Sequence, residues 1–308
     1  MGQSWSSSAE VELVSDHILV TGASGRAGME MVKRLRTAGV KVRAAIHYPD
    51  HDAESRASAV DYVEVDFDHP ETLDTAFRGI DKAVLITPEE STMVGMTANL
   101  LGAAERAGVG YLLRVSFIHA DAGIGGRLLR WHREAEELVA ASAIPSTCLR
   151  PNSYMQNFVT MYAPSIFTRG AFFTPMGRGR ISYVDGRDVA EAAVEILLGS
   201  GHEGATYSLT GPEPLSHGEI AEILSHETGQ AIRYVDVGEE DACMALQRRG
   251  ASPDLVEALC ELWLAMRHDE FAPTSDGIER VMARAPRRFT DFAREHRDEL
   301  RVSPAARS

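Results

Sequence analysis

Three glycines, Gly22, Gly25 and Gly28 in the run TGASGRAG, have the spacing most suggestive of chemistry in this sequence. They follow the apolar run His17-Ile18-Leu19-Val20 and open a stretch in which Met31, Val32 and Leu35 recur at helical spacing. Strand, glycine turn and helix in that order make a phosphate cradle. Gly22 permits the tight turn, Gly25 lets a pyrophosphate approach backbone N–H groups, and Gly28 lets helix and strand pack closely. The helix-terminal N–H groups and dipole then favour the anion, with Ser24 and Arg26 in the same turn. The expected ligand is a dinucleotide.

An acidic residue about 20 positions on, bonding the ribose hydroxyls, would indicate NAD(H). It is absent. The second strand reads Val42-Arg43-Ala44-Ala45-Ile46-His47, with Arg43 and His47 on one face and no carboxylate until Asp50. With Arg26 nearby, these residues suit a 2′-phosphate, so NADP(H) is expected over NAD(H). The alternative is that Arg43 is a solvated strand residue and His47 an ordinary loop histidine.

The elements that must position this turn are legible as alternation. Expected strands are His17 to Val20, Lys41 to His47, Tyr62 to Val65, Ala83 to Thr87, Tyr111 to Ser116 and Ser146 to Leu149, separated by amphipathic stretches. The helix over Ala27 to Thr37 stops at Gly39. The pattern predicts an α/β Rossmann-type, doubly wound parallel sheet over 16–150 and a smaller, helix-rich C-terminal substrate lobe over 151–308. Strands around Ile181 to Val184 and Tyr207 to Leu209 return to the sheet, and residues 1–15 form a disordered leader. Asp188 reads as a helix N-cap, and Ser216 with Glu219 as a capping box.

The 308 residues, 44% of them hydrophobic, can bury a full α/β core. The net charge of −14 with dispersed cations argues against nucleic acid. Cys148, Cys243 and Cys260 are odd in number and lack CxxC spacing, which argues against a disulfide framework and a zinc site and favours a reducing, cytoplasmic compartment. No metal constellation stands out. No stretch approaches a membrane span. MGQSWS matches a myristoylation pattern through Gly2 and Ser6, but the first basic residue is Arg26, so the second anchoring signal is missing.

With these motifs assembled, the sequence resembles the NmrA-like branch of atypical short-chain dehydrogenase/reductases over nearly its whole length. TGASGRAG followed by VRAAIH resembles the family's opening. VDFDHPETL resembles its adenine contact, which the resemblance places at Asp66 and Phe67. Ile86, Thr87 and Pro88 stand where the family passes the nicotinamide ribose. RVSFIHAD, WHREAEELV, TCLRPNSYMQNF, DGRDVAEAAVEILL and YSLTGPEPLSHGEIAEIL resemble further landmarks in the same order. The HAD segment and His132, four residues before Glu136, are most similar to the NADPH-dependent quinone reductases and azoreductases. The family also contains NADP(H)-binding members that act as redox sensors or regulators.

The usual short-chain dehydrogenase pair, Tyr-x-x-x-Lys, is excluded by counting: the lysines are Lys33, Lys41 and Lys82. With Glu136 taken as the family's glutamate, the Lys position falls on His132 and the Tyr position on Leu128. Ser116 remains at the strand end. His132, titrating near neutrality, is the expected proton donor to a developing alkoxide or hydroquinone oxygen. It can equally be a ribose contact or lie on a solvated face. Ser116 can orient a carbonyl or merely satisfy backbone. Pro151, Asn152 and Tyr154 follow the sixth strand, where the crevice opens toward the nicotinamide. Tyr154 can offer its hydroxyl or pack as an aromatic.

Leu255 to Met266 presents an apolar helical face, either core or, with Phe167, Phe172, Phe173 and Met176, the lining of a pocket for a flat substrate. The expected function is NADPH-dependent reduction of a hydrophobic ketone, quinone or related aromatic, in natural-product tailoring among other settings. The expected protein is a monomer or homodimer with no membrane partner. The alternative is a noncatalytic NADP(H) sensor.

Overall fold

The computed structural model describes residues 16–47 and 60–303. The leader, with Gly2 and Ser6, and Asp50 lie outside the described residues. In chain order the first half comprises β1 (His17–Val20), α1 (Arg26–Thr37), β2 (Lys41–Ile46), β3 (Asp61–Glu64), α2 (Pro70–Phe77), β4 (Lys82–Leu85), α3 (Met93–Ala107), β5 (Tyr111–Val115), α4 (Gly126–Ala141) and β6 (Ser146–Pro151). A π-helical segment, Phe158–Tyr162, precedes α5 (Ala163–Arg169), β7 (Ala171–Thr174), β8 (Arg180–Ile181), α6 (Gly186–Leu198), β9 (Thr206–Leu209) and β10 (Leu215–Ser216). The chain ends with α7 (His217–Thr228), β11 (Arg233–Asp236), α8 (Glu239–Arg248), α9 (Pro253–Arg267), α10 (Gly277–Met282) and α11 (Phe289–Glu295).

Seven strands form one parallel sheet in the order β3-β2-β1-β4-β5-β6-β9. Strand order reverses direction between β1 and β4, so the crevice lies outside the C-terminal ends of these two strands. Met31, Val32 and Leu35 of α1 pack with Val189, Ala193 and Ile196 of α6 against one face. Leu73 and Phe77 of α2, Leu100 and Ala104 of α3, and Val139 of α4 cover the other. The doubly wound sheet is the Rossmann-type architecture that the alternation predicts.

The second lobe has its own core, in which Phe158, Phe172, Tyr183, Phe289 and Phe292 meet Leu262 and Met266 of α9. Phe172 and Met176 belong to this core, whereas Phe167 is exposed. The chain does not divide once at residue 150, because α6 packs on α1 and β9 completes the large sheet beside β6. β8 does not enter that sheet but pairs antiparallel with β10. Tyr154 makes an isolated bridge to Val184.

Two local expectations are corrected. The N-cap of α6 is Asp185, whose carboxylate accepts from Arg187 N–H; Asp188 lies one turn inside, fully buried, where it binds Arg284 and Arg287. The Ala-rich run gives the helix but not the arginines that claim Asp188. Cys243 and Cys260 are joined as a disulfide between the packed helices α8 and α9, with Cys148 left free. An odd cysteine count excludes only complete pairing, and a 17-residue separation becomes a contact once two consecutive helices pack. The capping box at Ser216 and Glu219 is present with both of its bonds. Among the described residues no helix is long and apolar enough to cross a membrane.

Candidate active site

The glycine turn is fixed from below and open above. Buried Thr21 ties β1 to the end of β4, its Oγ1 donating to the Ile86 carbonyl at 2.8 Å and accepting the Ile86 N–H at 2.8 Å. Gly22 has φ +60°, and a Cβ there would lie 3.0 Å from Ile86. At Gly28 a Cβ would fall 2.3 Å from the Gly22 carbonyl oxygen, so helix and turn approach as only glycine allows. Gly25 is different. Its φ of −79° suits any residue, and a Cβ would meet only the Gly22 carbonyl, at 3.2 Å. Ser24, Gly25 and Arg26 are exposed. The N-terminus of α1 has no side-chain cap and no acidic residue in its first turn, so its donors suit a pyrophosphate.

The cations read from the sequence separate into two groups. Arg26 reaches from the turn across to the π-helical segment, its Nε donating to Thr160 Oγ1 at 3.0 Å. Arg43 is occupied in the fold: Nε binds Asp61 at 2.7 Å, and Nη1 donates to the carbonyls of Ala76 and Arg78. Arg43 is level with Leu19, below the strand ends. His47, four residues on, is at the ends of β2 and β3, with Nδ1 3.1 Å from the Val65 carbonyl. Asp66 lies beside it, with its carboxylate bonded to Asp68 N–H and His69 and its acidity thereby raised. The Phe67 carbonyl accepts from Asn99.

Two residues assigned to the cofactor prove to be interior. β6 continues two residues beyond Leu149, which places Pro151 in the sheet, its carbonyl accepting Ile118 N–H. Asn152 is fully buried and donates to Ser182 and to the Phe271 carbonyl. Both lie deeper than the sequence suggests, because the strand outlasts its apolar run. Thr87 and Pro88 follow β4 at the crevice; Thr87 Oγ1 accepts from Arg114 Nη1 at 3.0 Å. Tyr154 packs partly buried against the sheet core, with burial first and Glu89 second keeping its phenol protonated.

Ser116 and His132 are brought together where β5 ends against α4. Both are buried, with Ser116 Oγ 3.4 Å from His132 Nδ1, a long and weak contact. Leu128, one turn earlier on α4, is fully buried. The expectation that His132 titrates near neutrality is corrected: burial, aided by the Arg114 guanidinium, holds it at about 3. It is neutral at working pH, and its Nε2 is buried without a partner among the described residues.

Sequence reasoning missed Arg114. It is fully buried in the strand YLLRV, with Nε and Nη2 unpartnered among the described residues and its acidity raised by burial to a pKa of about 10. The available signal was a charged residue inside an otherwise apolar strand run. Arg150 of β6 grips Glu136 through two nitrogens and Asp121 at 2.6 Å, and so locks α4 and the HAD segment to the sheet. Arg114, Glu136, Cys148 and Arg150 border a cavity of about 550 Å³ between α4 and the β6–β9 edge.

A doubly wound sheet with a glycine turn at its switch point defines a Rossmann-type α/β fold. The chain belongs to the NmrA-like family, whose model matches residues 14–292. It is 35% identical over 279 residues to the NAD(P)H azoreductase of Xenophilus azovorans, covering 91% of this chain and 97% of that protein. It is 33% identical over 282 residues to the (4-alkanoyl-5-oxo-2,5-dihydrofuran-3-yl)methyl phosphate reductase of Streptomyces griseus, covering 91% and 97%. Among solved structures, an NADPH-dependent quinone oxidoreductase of Escherichia coli complexed with NADPH superposes with a TM-score of 0.78 at 25% identity, covering 90% of this chain and 99% of that one.

Proposed function

We propose that this protein is an NADPH-dependent reductase of a flat, hydrophobic substrate with a quinone, azo or ketone group. The observation that carries the reading is the exposed, uncapped and acid-free start of α1 at Gly25, opening at the same C-terminal end of the parallel strands as Ser116 and His132. Backbone N–H groups of the turn would hold the pyrophosphate, and Arg26 and His47 would face the 2′-phosphate. Thr87, anchored by Arg114, would line the nicotinamide ribose.

NADPH, when bound, supplies the hydride. The chain's own part is orientation and charge. Ser116 donates its hydroxyl proton in a hydrogen bond to the substrate oxygen or nitrogen, and neutral His132 holds that hydroxyl through Nδ1. Buried Arg114 adds positive potential where anionic charge develops on the reduced substrate. The proton that completes reduction comes from solvent, which suits quinones and azo compounds, whose reduced anions are stabilised. The names of the azoreductase and quinone oxidoreductase relatives support this substrate class.

Steady-state NADPH oxidation with a panel of quinones, azo dyes and aryl ketones tests the reading. Turnover with quinones or azo dyes is expected. Tight NADP(H) binding with no turnover across the panel would make the protein a cofactor sensor instead.

A further inference from the structure

α8 is lightly packed for a helix of its length. Of its ten residues Ala242 alone is buried, and its packing partner is α9. Glycines stand at both ends: Gly238 is the N-cap, and Gly250, with φ +85°, has nothing within 4 Å of where a Cβ would be. A cavity of about 240 Å³ separates the start of α8 from α9, lined by Val237, Gly238, Glu239, Trp263 and Leu264. With so little apolar surface removed from water, burial holds α8 weakly. The covalent tether from Cys243 to Cys260 supplies what packing does not. Both cysteines are half-buried, so a small reductant can reach them.

The tether is anchored on a firm element and ends beside the cofactor turn. Glu257 and Glu261 flank Cys260 on α9 and bind Arg127 in the first turn of α4, with Glu261 accepting the Arg127 backbone N–H at 2.7 Å. Leu262 and Met266 of α9 lie in the core of the lobe. At the other end of α8, Arg249 approaches Tyr162, the last residue of the π-helical segment: burial pushes this phenol up to about 12, against Arg26 of the glycine turn and Arg249, which pull it down. Arg26 also donates to Thr160 in the same segment. The end of α8 thus stands at the seam between the glycine turn and the second lobe, where a dinucleotide on that turn would leave.

We propose that the Cys243–Cys260 bond is a redox clasp that holds α8 as a lid over this seam, and that its reduction frees the helix. A dithiol reductant supplies two electrons and two protons: one of its sulfurs attacks the bond to form a mixed disulfide, the other resolves it, and the reductant leaves as a disulfide while Cys243 and Cys260 become thiols. The lid function rests on the cofactor reading of the glycine turn; the release of α8 does not.

Hydrogen–deuterium exchange of peptides covering Glu239 to Arg248 is measured before and after treatment with dithiothreitol, together with the rate at which bound NADPH is displaced by excess NADP+ in a stopped-flow fluorescence chase. Reduction is expected to speed exchange in α8 at least about tenfold, as loss of a short closed loop allows, and to quicken NADPH release. The double variant Cys243→Ser/Cys260→Ser should show both changes without reductant and respond to it no further, whereas Cys148→Ser should behave as wild type. Unchanged exchange in α8, faster exchange with unchanged NADPH release, or a double variant that still responds to dithiothreitol overturns the proposal. Faster exchange in a protein that binds no NADPH in either state would overturn the cofactor reading and, with it, the lid.

Discussion

Gly25 and Gly28 look equivalent in the motif, but they are held by different physics. At Gly25 only the ligand's path is at stake, so Gly25→Val should abolish NADPH binding in calorimetry while the melting temperature shifts little. Gly28→Ala should unfold the protein more easily, because its Cβ would lie 2.3 Å from a backbone oxygen; chemical denaturation measures this. Arg26 and Arg43 divide in the same way. Arg26→Ala should narrow the preference for NADPH over NADH by roughly tenfold, the loss of one charge-assisted contact. Arg43→Ala should leave that ratio unchanged and lower stability, and a ratio that moves only with Arg43 would reverse the assignment. For His132, held at about 3, kcat/KM should show no bend near pH 6.5. A bend there that disappears in His132→Ala would show an imidazolium donor.

At the scale of elements, the sequence was read best where a signal is local and worst where a distant partner decides. The glycine turn, the six opening strands and the Ser216 capping box depend on neighbours within one turn or strand, and they stand within one to two residues of their expected bounds. Arg43 was misread because Asp61 and the carbonyls of Ala76 and Arg78 reach it only after folding. The burial of Asn152 was not legible because its partner Phe271 lies 119 residues away. The sequence named Ser116 and His132, which the fold brings within 3.4 Å of each other, but the protonation state of His132 was not legible, since burial is a tertiary property. Asp185 gives a test at this scale. It caps α6 and also binds Gln156 Nε2 at 2.8 Å, so it joins the two lobes. Asp185→Ala should cost about 2–3 kcal/mol in denaturant unfolding, and a cost below about 0.5 kcal/mol would mean that solvent replaces those bonds.

The molecule as a whole should be sensitive to mild acid. His132 and His217 are both buried and held at about 3, below the ordinary 6.5, so the unfolded chain binds more protons than the folded one between these values. Their contribution is complete above about pH 6.5 and is lost as pH falls toward 3, at up to about 1.4 kcal/mol per pH unit for each histidine. Urea unfolding at successive pH values should show this slope, and His132→Leu should remove about half of it. The central claim is that a dinucleotide on the glycine turn delivers hydride beside Ser116 and His132. Rapid mixing of protein carrying stoichiometric NADPH with excess menadione, followed at 340 nm, addresses that claim in a single turnover. The absorbance of the bound cofactor should disappear completely in the wild-type protein, with no such reaction in folded Gly25→Val. Bound NADPH that stays reduced in the presence of menadione, or a Gly25→Val protein that reacts like wild type, would contradict it.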